Sequence, residues 1–286
     1  MVVYSFRGER LSEHSYLVLR LYCEAFGPTH EGLVAKRLGI DQRRISEAMC
    51  TACLLHDVGK ALKEFQRSIE QGGGSPFHEV VGALFTYDTL RSAFDADPLV
   101  RHLLSFAAAY AVLRHHQAMR SLRKAFEEGP RHLPLSGGID RGVANEAAMA
   151  AHMAAHLIDA SNVLEAFKER VEVASREGLS VWFERLRHRL GNFIRGVAPE
   201  GIPLDVQKDW PKAWERLQLT LPLFTAPLQL CDYLAALVTR GGRIRSLHRE
   251  SLLLLRRASL NLPANRLTSA KRRTSTAPTS NPLRAE

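Results

Sequence analysis

Imidazole and carboxylate groups recur on helix faces that are otherwise apolar, and these positions are where this sequence can do chemistry. His14 is in phase with Leu17, Val18 and Leu21, so it turns inward from the first helix. His56 shares a face with Ile45, Met49, Ala52 and Cys53, and Asp57 follows where Gly59 can end that helix. His78 lies with Val81, Gly82 and Phe85, and Asp232 with Leu228, Cys231 and Ala235. His115 and His116 close a long apolar segment that contains Leu103, Phe106, Tyr110 and Leu113. Taken singly, an inward histidine is more often a hydrogen-bonded core residue than a ligand. Together they imply more, because every buried ionisable group needs a partner or a metal to offset its desolvation. Mixed imidazole and carboxylate donors suit divalent transition metals such as Mn, Fe, Co or Ni. Adjacent helical residues such as His56 and Asp57 point about 100° apart and can grip a metal from two sides, while a carboxylate can bridge two ions. Two ions about 3.5–4 Å apart would clamp a phosphodiester for in-line attack by an activated water.

The elements that must position these groups read as helix after helix. Apolar residues recur at three- and four-residue steps with almost no alternating β-branched segments, which predicts an all-α helical bundle. The periodicity places helices near 10–25, 43–56, 60–70, 77–90, 98–117, 139–173, 178–194, 206–217, 226–240 and 245–257. Turn chemistry separates them at Gly27-Pro28, Gly72 to Pro76, Gly129-Pro130, Pro134 to Gly138, Pro199 to Pro203 and Gly241-Gly242. From Ala258 onward Ser, Thr, Asn, Pro and Arg dominate, so the expectation is a domain over 1–257 and a disordered basic tail over 258–286.

At 286 residues, with 45% apolar and 24% charged residues, the chain has ordinary globular composition. The apolar run from Leu103 to Leu113 is too short to span a membrane, and Arg7, Glu9 and Arg10 interrupt any secretory h-region. No membrane partner and a cytoplasmic location are therefore expected. The four cysteines are too few and scattered for a disulfide framework, and Cys50-x-x-Cys53 sits in an apolar helical run, which favours packing over zinc. Net charge is +9, and residues 256–286 carry +6 of it, leaving a mildly basic body. Such a tail contacts a polyanion or is simply solvated.

His14, then His56-Asp57, then Asp232 resembles the H…HD…D pattern of the HD phosphohydrolase superfamily. E-x-L-x-x-H at Glu9 to His14, H-D-x-G-K at His56 to Lys60, a single His78 and the His115-His116 pair are similar to the HD nuclease of type I CRISPR systems, in its stand-alone form. The resemblance covers roughly residues 5 to 240. It implies an HD-domain bundle that cleaves single-stranded DNA in antiviral defence, with R-loops or RNA as alternative substrates. It also implies two partners, a separate CRISPR helicase and an RNA-guided surveillance complex. By the same resemblance His14, His56, Asp57 and Asp232 hold a first metal. His78, His115 and His116 hold a second, with Asp57 bridging. The cofactors implied are one or two divalent ions (Mn, Ni, Fe or Co, with Mg as an alternative). Asp57 and Lys60 are the catalytic pair, Lys60 neutralising the scissile phosphate. Asp97, Asp140 and Asp159 compete with Asp232 for the last ligand position.

No G-x-x-x-x-G-K-[ST] or G-x-S-x-G segment occurs, which argues against ATP hydrolysis through a P-loop and against a serine nucleophile. His152 and His156 lack the glutamate of HExxH and are expected to pack or hydrogen-bond. Arg120, Arg123, Lys124, Arg131, Arg240, Arg243 and Arg245 flank the proposed ligands and are candidates to guide a phosphate backbone. Two rival functions remain at this point: an HD phosphohydrolase of nucleotides or cyclic nucleotides, and a non-catalytic DNA-binding adaptor.

Overall fold

In the computed structural model, residues 2–116, 128–200, 202–203 and 207–240 are described, and they form an all-α bundle preceded by a small hairpin. The expected helix over 245–257 and the tail over 258–286 lie outside them, as do Arg120, Arg123, Lys124, Arg243 and Arg245. Strands β1 (Tyr4–Phe6) and β2 (Glu9–Arg10) pair antiparallel and lead directly into α1 (Leu11–Ala25). Helices α2 (Gly27–Leu38) and α3 (Gln42–Leu55) follow, then a 3-10 turn over Val58–Ala61 and α4 (Lys63–Glu70). α5 (His78–Ala93) and α6 (Pro98–Arg114) form the central helical hairpin. A short α7 (Gly129–His132) leads to α8 (Gly142–Met153), α9 (Ser161–Glu177), α10 (Leu179–Ile194) and α11 (Trp210–Arg240).

Local chemistry explains most of the boundaries. Asp41 caps α3 by accepting from the Arg43 N–H at 2.8 Å, and Asp97 caps α6 by accepting from Leu99 N–H at 2.8 Å, with Pro98 in the first turn. Gly27-Pro28, expected as a turn, instead opens α2, because proline in the first turn loses no intrahelical bond; left-handed Gly39 then ends the helix. The single helix expected over 139–173 is two. Asp159 accepts from both the Ser161 N–H and its hydroxyl, a local alternative to helix that restarts the chain as α9.

Conversely, the break expected between 217 and 226 is absent: α11 runs through Pro222 and Pro227. Between the two prolines the Thr225 hydroxyl donates back to the Leu221 carbonyl four residues earlier, the usual helical position for an inward threonine. Residues Trp210–Thr239 are long and apolar enough to cross a membrane by length and composition. The helix nonetheless packs along α1, α2 and α6 with Leu217, Phe224, Leu228 and Leu234 buried, as a core helix does.

The core sits between the α5–α6 hairpin and the surrounding α1, α3, α9, α10 and α11. Trp182 of α10 stacks on Phe85 of α5 at 4.2 Å and donates its Nε1–H to Asp88 at 3.2 Å. Buried Glu146 of α8 accepts from Ser12 N–H at 3.2 Å and from Arg10 at 2.9 Å, pinning the hairpin and the start of α1 to the bundle. Replacing Glu146 by Ala removes two charge-assisted bonds and strands the Ser12 N–H. The expected cost is about 1–3 kcal/mol in urea unfolding.

Candidate metal centre

Five segments deliver one polar cluster into this core. α1 brings His14, the end of α3 brings His56 and Asp57, α5 begins at His78, α6 ends before His115 and His116, and α11 brings Asp232. The His56-Asp57 doublet is placed by a backbone approach that only glycine permits. A Cβ on Gly59 would run into the His78 carbonyl, and one on Gly82 would lie 2.6 Å from the His56 carbonyl oxygen. The 3-10 turn is thereby seated directly on the start of α5. Phe77, just before His78, adopts the left-handed conformation (φ 65°), a strain of about 1–3 kcal/mol that the surrounding packing must hold. Its buried ring stacks nearly parallel on His132 at 5.5 Å.

The two oxygens of buried Asp57 face different groups. Oδ2 lies 3.6 Å from both His14 Nε2 and His56 Nε2 and accepts from Lys60 Nζ at 2.6 Å. Oδ1 lies 3.0 Å from His78 Nε2 and 3.6 Å from His115 Nε2. Asp232 Oδ1 completes the first group, 3.0 Å from His14 Nε2 and 3.6 Å from His56 Nε2. His116 joins the second, its Nε2 3.2 Å from that of His78. Potential ligand atoms of Asp57, His78, His115 and His116 lie within 4.8 Å of one another, as do those of His14, His56 and Asp57.

The outward-facing ring nitrogens fix which atom points inward. Nδ1 of His56 donates to the Cys53 carbonyl, that of His78 to Ser75 and that of His115 to Val112, in each case three residues back. His14 Nδ1 instead meets the Glu9 carboxylate at 3.1 Å. These contacts orient each ring and leave the Nε2 lone pair to the centre, the arrangement typical of metal-ligating histidines. Nε2 of His56, Nε2 of His115 and Oδ1 of Asp57 are buried without a hydrogen-bond partner among the described residues. Buried polar atoms left so, divided between the two groups that share Asp57, fit divalent cations in their donor chemistry.

The charges are arranged for this. Burial alone would raise Asp57, but Lys60 and the rings of His56, His115 and His78 hold its carboxyl well below the usual range. Asp232 is likewise driven down against its burial by His14 and His56. Burial lowers His78 and, with the neighbouring His115 and His78, pushes His116 to about 2, so both rings are neutral at pH 7. Burial also opposes charge on His14, yet Asp232, Glu9 and Asp57 outweigh it and lift the ring to about 9. A metal taken up through His14 Nε2 must therefore displace a proton at neutral pH. Metal affinity is expected to rise with pH until about 9, with proton release visible as a buffer-dependent heat in titration calorimetry. The sign for the metal-free fold is opposite. A pKa raised above its unfolded value gives stability that is full below about 6.5 and is lost as pH climbs toward 9.

All eight residues singled out from the sequence, His14, His56, Asp57, Lys60, His78, His115, His116 and Asp232, meet here. Asp97, Asp140 and Asp159 do not: the first caps α6, the second accepts from Gly142 N–H, and the third is exposed at the start of α9. His152 and His156, expected to pack or hydrogen-bond, are exposed on and just beyond α8. Cys50 and Cys53 are buried in α3, as packing requires. Arg131 is exposed on α7. Glu9 stands in the sequence motif, but its role against His14 was not legible, since it precedes the helix and helical phase says nothing about it. Glu79, 3.7 Å from His78 Nδ1, was missed for a similar reason: beside a histidine, an acid in a helix's first turn reads as ordinary N-terminal charge.

The resemblance carried by these motifs is matched in comparison with known proteins. The chain is 29% identical over 136 residues to the CRISPR-associated endonuclease Cas3-HD of Methanocaldococcus jannaschii, covering 43% of this chain and 54% of that protein, so it spans about half the relative's length. A solved CRISPR-associated Cas3 HD domain protein from the same organism superposes with a TM-score of 0.47 and 20% identity over 80% of this chain and 99% of that one. No protein-family model matches the chain.

Proposed function

We propose that this protein is a metal-dependent nuclease that hydrolyses phosphodiesters of single-stranded DNA in CRISPR interference. The observation that supports this most is Asp57, whose two carboxylate oxygens face separate groups of histidines within one buried centre. His14, His56 and Asp232 would hold one divalent ion (Mn, Ni, Fe, Co or Mg), and His78, His115 and His116 a second, with Asp57 shared. Cations held there supply Lewis acidity toward a phosphoryl oxygen and an acidified water as nucleophile. The protein's own groups do the rest. Asp57 and Asp232 stay ionised, so the centre keeps anionic donors for cations. His78 and His116 stay neutral and keep lone pairs available. Lys60, hydrogen-bonded to Asp57, orients that carboxylate and offers a cation beside the position a phosphate would take.

The Cas3-HD relative is named an endonuclease, which favours cleavage within a strand, and a single strand exposes each phosphodiester to a buried centre more readily than a duplex. A separate helicase and an RNA-guided surveillance complex, the partners that the motif resemblance implies, would present that strand in the cytoplasm. The test is digestion of circular single-stranded DNA, duplex DNA, single-stranded RNA and a nucleotide panel by purified protein, with chelator, Mn, Ni or Mg. Linearisation of the circle that needs metal and disappears in Asp57→Asn is expected. Hydrolysis of nucleotides with DNA left intact would replace this reading with a small-molecule phosphohydrolase. Salt-sensitive DNA binding without turnover in any metal would replace it with an adaptor.

A further inference from the structure

A second polar cavity lies at the other end of the α5–α6 hairpin. His78 and Arg91 are thirteen residues apart on α5, as are His102 and His115 along α6, so the cavity sits about 20 Å from the metal centre along both helices. Its volume is about 180 Å³, and Tyr87, Arg91, His102, Arg189, Asn192 and Glu200 line its polar side. At about 30 Å³ per water, that space takes a phosphate group and the atoms attached to it.

Two guanidinium groups and one carboxylate line the cavity, so its wall carries a net positive charge. Neither Arg91 nor Arg189 forms an ion pair with a described carboxylate, although each is only half-buried; Arg91 lies over the Tyr87 ring at 5.7 Å. Glu200, the one carboxylate in the wall, is exposed and out of ion-pair range of both. His102 is 4% exposed, and its Nδ1 has no hydrogen-bond partner among the described residues. A buried polar atom left open beside two unpaired guanidinium groups marks a place built for a ligand with several acceptor oxygens. Burial, with the positive field of Arg91, Arg101 and Arg189, also pushes the His102 ring down to about 4, so it is neutral at pH 7.

We propose that this cavity is a phosphate-binding site, separate from the metal centre, in which the guanidinium groups of Arg91 and Arg189 take the anionic oxygens and Asn192 and His102 take the remaining hydrogen bonds. The ligand is a phosphate or phosphate ester, whether free, on a nucleotide or in a strand. The planar forks of two arginines match such oxygens in pairs.

The test is calorimetric titration of the full chain in chelator with inorganic phosphate, deoxyadenosine monophosphate and a short single-stranded oligonucleotide. Saturable phosphate binding is expected, weakened roughly tenfold by Arg189→Gln and more by the Arg91→Gln, Arg189→Gln double variant. Glu200→Gln should tighten it, and Asp57→Asn should leave it unchanged, since that residue lies at the other end of the hairpin. The tightest of the three ligands identifies the source of the phosphate. Arg189 has no described side-chain partner, so its single variant is informative even if the double variant folds poorly; circular dichroism checks both. Phosphate binding that is undetectable at millimolar concentration, unmoved by Arg189→Gln, or abolished in an Asp57→Asn sample whose circular dichroism shows it folded would overturn the assignment.

Discussion

Asp57→Asn is expected to reduce metal-dependent cleavage by at least about a thousandfold and to remove bound metal together with the activity. The magnitude follows from what the side chain touches. Its two oxygens are shared between two groups of histidines, and the several kcal/mol that a held cation contributes to a phosphoryl transition state converts at about 1.4 kcal/mol per tenfold. The same substitution has a separate structural cost. Lys60 Nζ sits 2.6 Å from Asp57 Oδ2 with both side chains buried, and breaking a buried pair from one side costs about 3–5 kcal/mol because the other charge is left alone. The two effects can be told apart. Adding Lys60→Met to Asp57→Asn removes the stranded charge and should recover much of the lost stability in denaturant unfolding, while cleavage stays absent. If cleavage returned with stability, Asp57 would be a structural partner of Lys60 and no ligand.

The second large effect is expected from a residue with no side chain. In Gly59→Ala the new methyl would collide with the His78 carbonyl, and backbone yields less readily than a flexible side chain. The 3-10 turn and the start of α5 must part, at a cost of about 1–3 kcal/mol. The consequence for the centre is uneven. His14, His56 and Asp232 come from α1, α3 and α11 and keep their supports, whereas His78 moves away from Asp57 Oδ1, now 3.0 Å distant. Metal content measured by mass spectrometry should fall by one ion per chain before the other is lost. Cleavage should drop about a hundredfold for a displacement near 1 Å. Equal loss of both ions would mean that the two groups form one indivisible site.

How much of this was legible beforehand depends on which physical rule placed each part. The inward histidines were readable because each obeys the phase of its own helix: His14 with Leu17 and Val18, His78 with Val81 and Phe85. Asp232 is readable by the same rule, although the pattern predicts a shorter helix around it, since prolines at 222 and 227 look like breaks and are absorbed inside α11. The split between α8 and α9 was hidden for the opposite reason. An Ala-rich segment reads as continuous helix, and only Asp159 bonding to Ser161 marks the restart. The supports were invisible altogether. Carbonyls of Cys53, Ser75 and Val112 that fix three rings carry no side-chain signature, and the contact between Gly59 and His78 joins segments whose proximity no local pattern encodes.

His14 and Asp232 meet at 3.0 Å although 218 residues separate them along the chain. At ribosomal speeds of about 5–20 residues per second, the interval between synthesis of the two is on the order of 10–40 s. Throughout that interval the early helices have their histidines but lack the aspartate that closes the first group. A nascent chain therefore carries only a partial centre, and the full set of ligands is withheld until α11 docks, which separates the birth of this protein from the completion of its metal centre.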